Sequence, residues 1–143
     1  MSRLLQPACV PALQQMLIHE RRHLQTFKSL LDARGIRHCH ALSLWAAGGL
    51  LLGALTALIG ERAIWVCTSA IENTVNAHLE QQIQALGGND AEALAAVESI
   101  RRDELAHEAH AEQHGGNSGG LYRVLHGLVR SATSFAIWMS TKL

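Results

Sequence analysis

Aromatic residues are scarce: two Phe, one Tyr and three Trp among 143 residues, or 4%. Proline is scarcer. Pro7 and Pro11 both lie within the first eleven residues, so no proline interrupts a helix beyond them. Neither sign of charge is in excess, with 12 basic and 12 acidic residues. That balance removes the electrostatic footprint of a nucleic-acid partner, and none is expected. The three cysteines, Cys9, Cys39 and Cys67, are odd in number and lack a Cys-x-x-Cys spacing. They read as reduced thiols in a cytosolic setting. The N-terminus carries neither a signal-peptide nor a transit-peptide pattern.

What is present favours helices. Apolar residues make up 48%, with Ala and Leu abundant. The length suits one domain, residues 1–143, with a core of its own. Pro11 suits a first helical turn, and Leu13, Met16, Leu17, Leu24, Phe27, Leu30 and Leu31 follow at helical spacing up to a stop at Gly35. Residues 41–60 carry no charge, and twenty residues of helix would reach about 30 Å, the hydrocarbon thickness. A third helix runs from Glu61 to the Gly87-Gly88 pair. Asn89 or Asp90 can cap a fourth, ending near His114. Residues 115–120, Gly-Gly-Asn-Ser-Gly-Gly, form a break before a last helix from Leu121. The pattern predicts an all-α chain of about five helices.

One spacing occurs twice. Glu20-Arg-Arg-His23 and Glu104-Leu-Ala-His107 each place a carboxylate and an imidazole three residues apart inside a helical stretch. Residues i and i+3 share a helix face, so each pair can ligate one metal ion. Two such pairs, with a lone Glu from each of two further helices, make the di-iron cage of a four-helix bundle. Glu72, between the pairs in a weakly polar helix, is the candidate lone Glu. Carboxylate and imidazole ligands suit non-haem iron. A solvated helix face carries Glu and His as readily, and the motifs alone leave that reading open.

Internal spacing adds a discrepancy. Glu72 and Glu104 are 32 residues apart, one lone Glu followed by one pair. The same separation before Glu20 points about twelve residues ahead of Met1, and no acidic residue precedes Glu20. The set therefore holds three Glu and two His, one carboxylate short of the pattern.

Residues 19–31, residues 44–83 and "SIRRDELAHEAHAEQH" together resemble the demethoxyubiquinone hydroxylase family, di-iron monooxygenases of ubiquinone biosynthesis. The likeness runs from about residue 10 to the C-terminal "AIWMSTKL". The resemblance implies a ferritin-like antiparallel helical bundle at a membrane surface. It implies metal ligands at Glu20, His23, Glu72, Glu104 and His107. It puts His78 near the metals, although Leu79 stands where the family has a Tyr. Asp103 is expected to orient a metal-bound His. The family's first helix, with its Arg-Val-Asp-His-Ala-Gly-Glu stretch and first lone Glu, has no counterpart here, so the bundle is expected to be N-terminally incomplete.

The implied activity is oxygen-dependent ring hydroxylation of demethoxyubiquinone by two iron ions. The expected partners are a polyprenylated quinone, molecular oxygen, an external NADH-derived electron donor, other ubiquinone-biosynthesis proteins and a second copy of the chain. The expected location is peripheral, on the cytoplasmic side of a bacterial cell membrane. The alternative is a non-catalytic helical protein of the membrane surface that binds quinone or a biosynthetic partner. A third reading, an iron-storing bundle resembling ferritin, would turn over iron without quinone.

Lesser features remain open. Residues 41–60 suit either a span or a helix packed partly in the bundle and partly in the membrane face. Trp45 and Trp65 suit an interface or a core. Gly48, Gly49, Gly53 and Gly60 would allow close helix approach. His110 and His114 read as solvent-facing. His38 and His40, flanking Cys39, are discounted as a metal site.

Overall fold

The computed structural model describes residues 9–37, 39–116 and 119–142. His38, Asn117 and Ser118 lie outside the described residues. Five α-helices occur in order: α1 (Cys9–Ala33), α2 (Leu42–Ile59), α3 (Glu61–Leu86), α4 (Ala91–Ala111) and α5 (Leu121–Ser140). No strand occurs among the described residues.

Local chemistry sets the helix ends. Gly35, at φ 64°, leaves the helix in a left-handed turn. The Ile36 N–H then donates to Leu31 O at 2.9 Å, and the Gly35 N–H to Asp32 O at 3.1 Å. Those two bonds satisfy carbonyls that the end of α1 would otherwise orphan. Of the two predicted caps for α4, Asp90 is the one used. Its side chain accepts from the Ala93 N–H at 3.0 Å. The sequence pattern carries α4 regularly to His114. Instead it ends at Ala111, and Glu112–Gly116 widen into a π-helical turn. Gly115 takes φ 144°, and a Cβ there would sit 3.2 Å from Arg62 Cγ, so the turn needs glycine to lie against α3.

The contacts fix helix directions. Along α3 and α4, Asn73 meets Glu108 and Glu80 meets Arg101, an antiparallel pair. Along α1 and α4, His19 meets His107, and Arg34 pairs with Asp90, again antiparallel. Helix α2 runs back across the bundle, so α1 and α3 are parallel. Helix α3 is central and carries half of the buried residues among those described. Its first turns pack Ile64 and Trp65 with Cys9 and Ala111. Its middle packs Cys67 and Ala70 on Val129 of α5. Its far end packs Leu79 on Val97 and Ile100. Burying each of these larger aliphatic side chains stabilises the bundle by about 1.5–3 kcal/mol. Trp65, 1% exposed, is therefore a core residue, while Trp45 is half-buried.

Helix α2 is different. It buries only Thr56, while Leu44, Leu50, Leu51, Leu58 and Ile59 face outward. Its mean hydropathy is 1.9, and its 18 residues make it long and apolar enough to cross a membrane. Gly48, Gly49 and Gly53 have nothing within 4 Å of where a Cβ would be. Close helix approach is thus not their role among the described residues.

Candidate metal centre

Three helices aim the two Glu-x-x-His pairs and Glu72 at one place. Helix α1 presents Glu20 and His23 one turn apart, α4 presents Glu104 and His107 likewise, and α3 presents Glu72 between them. One ligand atom each from Glu20, Glu72, Glu104 and His107 lie within 4.8 Å of one another. His23 Nδ1 is 2.8 Å from Glu104 Oε1 and 3.8 Å from Glu20 Oε1. His107 Nδ1 is 3.3 Å from Glu104 Oε2 and 3.8 Å from both Glu72 Oε1 and Glu20 Oε1. Four of the five side chains are buried; the Glu20 side chain is 52% exposed and marks the open side. Helices α2 and α5 contain no acidic residue, so no fourth carboxylate comes from them.

Such a cluster is electrostatically costly by itself. Burial, the hydrogen bond to Glu104 and the neighbouring Glu104 and Glu20 charges push the Glu72 carboxyl up to about 11. Burial and Glu104 also raise Glu20. Burial would raise Glu104 too, but the adjoining His107, Glu72 and His23 side chains outweigh it and hold it low. Three carboxyl groups in one buried place cannot all ionise without a cation. His23 Nδ1 and His107 Nδ1 are buried atoms with no aligned hydrogen-bond partner, though both point at the carboxylates. Buried imidazole nitrogens facing a cluster of three carboxyls, two of them raised, fit a metal ion, and the donor set is that of non-haem iron.

The other ring nitrogens are held from outside. His23 Nε2 meets Asp103 Oδ2 at 2.9 Å, and Asp103 is in turn paired with Arg22 Nη2 at 2.6 Å. The His23 hydrogen bond keeps the Asp103 carboxyl below its ordinary value despite partial burial, with Arg22 adding to the effect. His107 Nε2 meets His19 Nδ1 at 3.0 Å. Glu108 accepts from Asn73 Nδ2 at 2.9 Å and Asn76 Nδ2 at 2.7 Å, tying α4 to α3 one turn beyond Glu104.

The sequence reading did not single out His19, Arg22, Asn73, Asn76 or Glu108. A signal for His19 existed: it precedes His23 by four residues and so shares its helix face. The asparagines gave no such signal, since their partner lies on another helix. His78 is not brought to the cluster. It lies six residues along α3 from Glu72, lines a cleft toward α5 with Arg130 and Ser134, and sets its Nε2 against Gln82 Nε2 at 3.1 Å. His110 and His114 stack on each other with centroids 4.2 Å apart, and Trp65 meets the His110 ring edge-on. His114 is exposed, and His110 is half-buried.

Comparison with known proteins bears on this geometry. Over 136 residues the chain is 35% identical to a 3-demethoxyubiquinol 3-hydroxylase of Rhodospirillum rubrum, covering 95% of this chain and 64% of that protein. It is 32% identical to the NADPH-dependent 3-demethoxyubiquinone 3-hydroxylase, mitochondrial, of Rattus norvegicus, covering 92% and 63%. It is 27% identical to the 5-demethoxyubiquinone hydroxylase, mitochondrial, of Saccharomyces cerevisiae, covering 96% and 65%. The chain thus spans just under two thirds of the length of these curated relatives. Residues 1–140 match the family described as ubiquinone biosynthesis protein COQ7. With that match reaching across all five helices and every side chain of the cluster, the chain belongs to the ubiquinone biosynthesis protein COQ7 family.

Proposed function

We propose that this chain serves oxygen-dependent hydroxylation of a demethoxyubiquinol or demethoxyubiquinone ring, with two iron ions held by Glu20, His23, Glu72, Glu104 and His107. One observation carries the reading: Glu20, Glu72, Glu104 and His107, from three helices, bring ligand atoms within 4.8 Å of one another, and His23 Nδ1 faces Glu104 at 2.8 Å beside them. Bound iron would supply the activation of oxygen for ring hydroxylation. The chain's residues do the rest. Glu72 and Glu104, buried on facing helices, set the spacing of the ligand set. Asp103 accepts from His23 Nε2–H, leaving His23 Nδ1 free to bind. The outward apolar face of α2 suits a membrane surface and the polyprenyl tail of a quinone. The electrons come from a nicotinamide nucleotide through a donor outside the chain, and the rat relative's printed name specifies NADPH. Self-association and contact with other biosynthetic proteins belong to the same reading.

The test is iron content and quinone product on the purified protein supplied with reductant. Iron bound above background and a hydroxylated quinone are expected. No iron and no product would overturn the proposal. The outward apolar face of α2 fits one other reading, a non-catalytic quinone- or partner-binding protein of the membrane surface. In that case Glu104→Ala would leave the biological effect of the chain intact.

A further inference from the structure

The two imidazoles of the cluster are held by unlike partners. His23 Nε2 faces a carboxylate, Asp103, that is fixed by Arg22. His107 has no such carboxylate. Its Nε2 faces His19 Nδ1 at 3.0 Å, and the two rings lie nearly parallel, 15° apart, with centroids 5.2 Å apart. His19 is half-buried and lines a cavity of about 200 Å³ with Ala12, Met16, Ala106, His107 and His110.

A metal-binding imidazole must keep the lone pair on the nitrogen that faces the metal. For His107 that nitrogen is Nδ1, among three carboxylates. The proton must then sit on Nε2. An imidazole left to itself among carboxylates would prefer to put its proton on Nδ1 and donate to them, which is the wrong tautomer for binding. An acceptor at Nε2 reverses that preference. Here the acceptor is the lone pair of His19 Nδ1, with the His19 proton on Nε2 toward the cavity.

We propose that His19 is a positioning residue that fixes the tautomer and ring orientation of His107 in the metal site. The inference rests on the metal reading given above. It assigns to a neutral imidazole the task that a carboxylate performs for His23. His19 occurs on α1 four residues before His23, so the helix that carries Glu20 and His23 also supplies the outer partner of His107 on α4.

Zinc(II), which is diamagnetic, is the probe. Zinc affinity would be measured by chelator competition, and the His107 Nε2–H by nitrogen-15 NMR of the zinc-loaded protein. The variants are H19A, H19Q and H19L. Gln retains an acceptor oxygen, whereas Ala and Leu do not. H19A and H19L are expected to bind zinc about 10- to 100-fold more weakly and to lose the protected Nε2–H. H19Q is expected to keep most of both. If H19A does not fold, H19Q against H19L makes the same comparison at similar volume. Wild-type affinity and an unchanged Nε2–H in H19L or H19A would overturn the role of His19. The variant E104A separates the two ideas: wild-type zinc binding in E104A would sink the metal site itself, whereas loss there with wild-type behaviour in H19L sinks only His19.

Discussion

Replacing Glu72 by Gln opposes stability to metal binding, and the structure supplies the size of the effect. In metal-free protein the Glu72 carboxyl is pushed up to about 11 from an ordinary 4.5, first by burial and then by Glu104 and Glu20. At pH 7 the unfolded chain ionises this group and the folded protein keeps it protonated. A carboxyl raised in the folded state gives stability that is full below its unfolded value and is lost as pH rises above it. The loss accrues at about 1.4 kcal/mol per pH unit from 4.5 upward, reaching about 3 kcal/mol at pH 7. The folded value need only exceed 7 for that figure to hold. Glutamine has no charge to suppress, and its amide can still donate to Glu104. With chelator present, E72Q is expected to be more stable than wild type by up to about 3 kcal/mol at pH 7, with the gap closing toward pH 4.5. With metal the order should reverse, because the variant gives up a ligand and with it the stabilisation that binding confers. Urea unfolding at pH 5 and pH 7, with and without iron(II) under anaerobic conditions, measures all four states. A metal-free E72Q that is less stable than wild type at pH 7, or a gap that ignores pH, would refute the reasoning.

Three further outcomes are expected. Trp65→Ala removes a side chain that is 1% exposed and packs on Cys9, Ile64 and Ala111, and should cost about 3–5 kcal/mol in denaturant unfolding. Asp90→Ala removes the cap of α4 and the pair with Arg34, so its deficit should be clear at pH 7. The Arg34 and Ala93 hydrogen bonds hold Asp90 below its usual value, so wild type loses this advantage as pH falls through that lowered value, and the two proteins should converge at strongly acid pH in thermal melts. Leu50→Glu with Leu51→Glu places charge on the outer face of α2, and vesicle sedimentation should fall at least about tenfold while helix content by circular dichroism stays unchanged.

The helices and the two Glu-x-x-His pairs were legible in the chain itself, because both depend on short separations. Apolar spacing of three and four residues marks α1 and α3. An acidic side chain at residue 90 caps a helix wherever the chain goes next. A Glu and a His three apart share a face in any helix, so Glu20 with His23 and Glu104 with His107 could be paired before any fold was known. Only packing decided the rest. That α1 and α3 run parallel follows from α2 crossing back between them. That His23 meets Asp103, His107 meets His19 and Glu108 meets Asn73 depends on which turns of two different helices lie side by side. The misplaced residue, His78, shows the same limit: its six-residue step from Glu72 turns it to the α5 side of its helix, away from the cluster. Trp65 shows it as well, since only the packing of the first turns of α3 against α1 and the end of α4 made it core. Composition and period assign a residue to an element and a face. Which neighbours that face meets, and hence which carboxyl stays protonated and which imidazole nitrogen is left free, is a property of the folded bundle, where separations of 80 residues along the chain close to 3 Å.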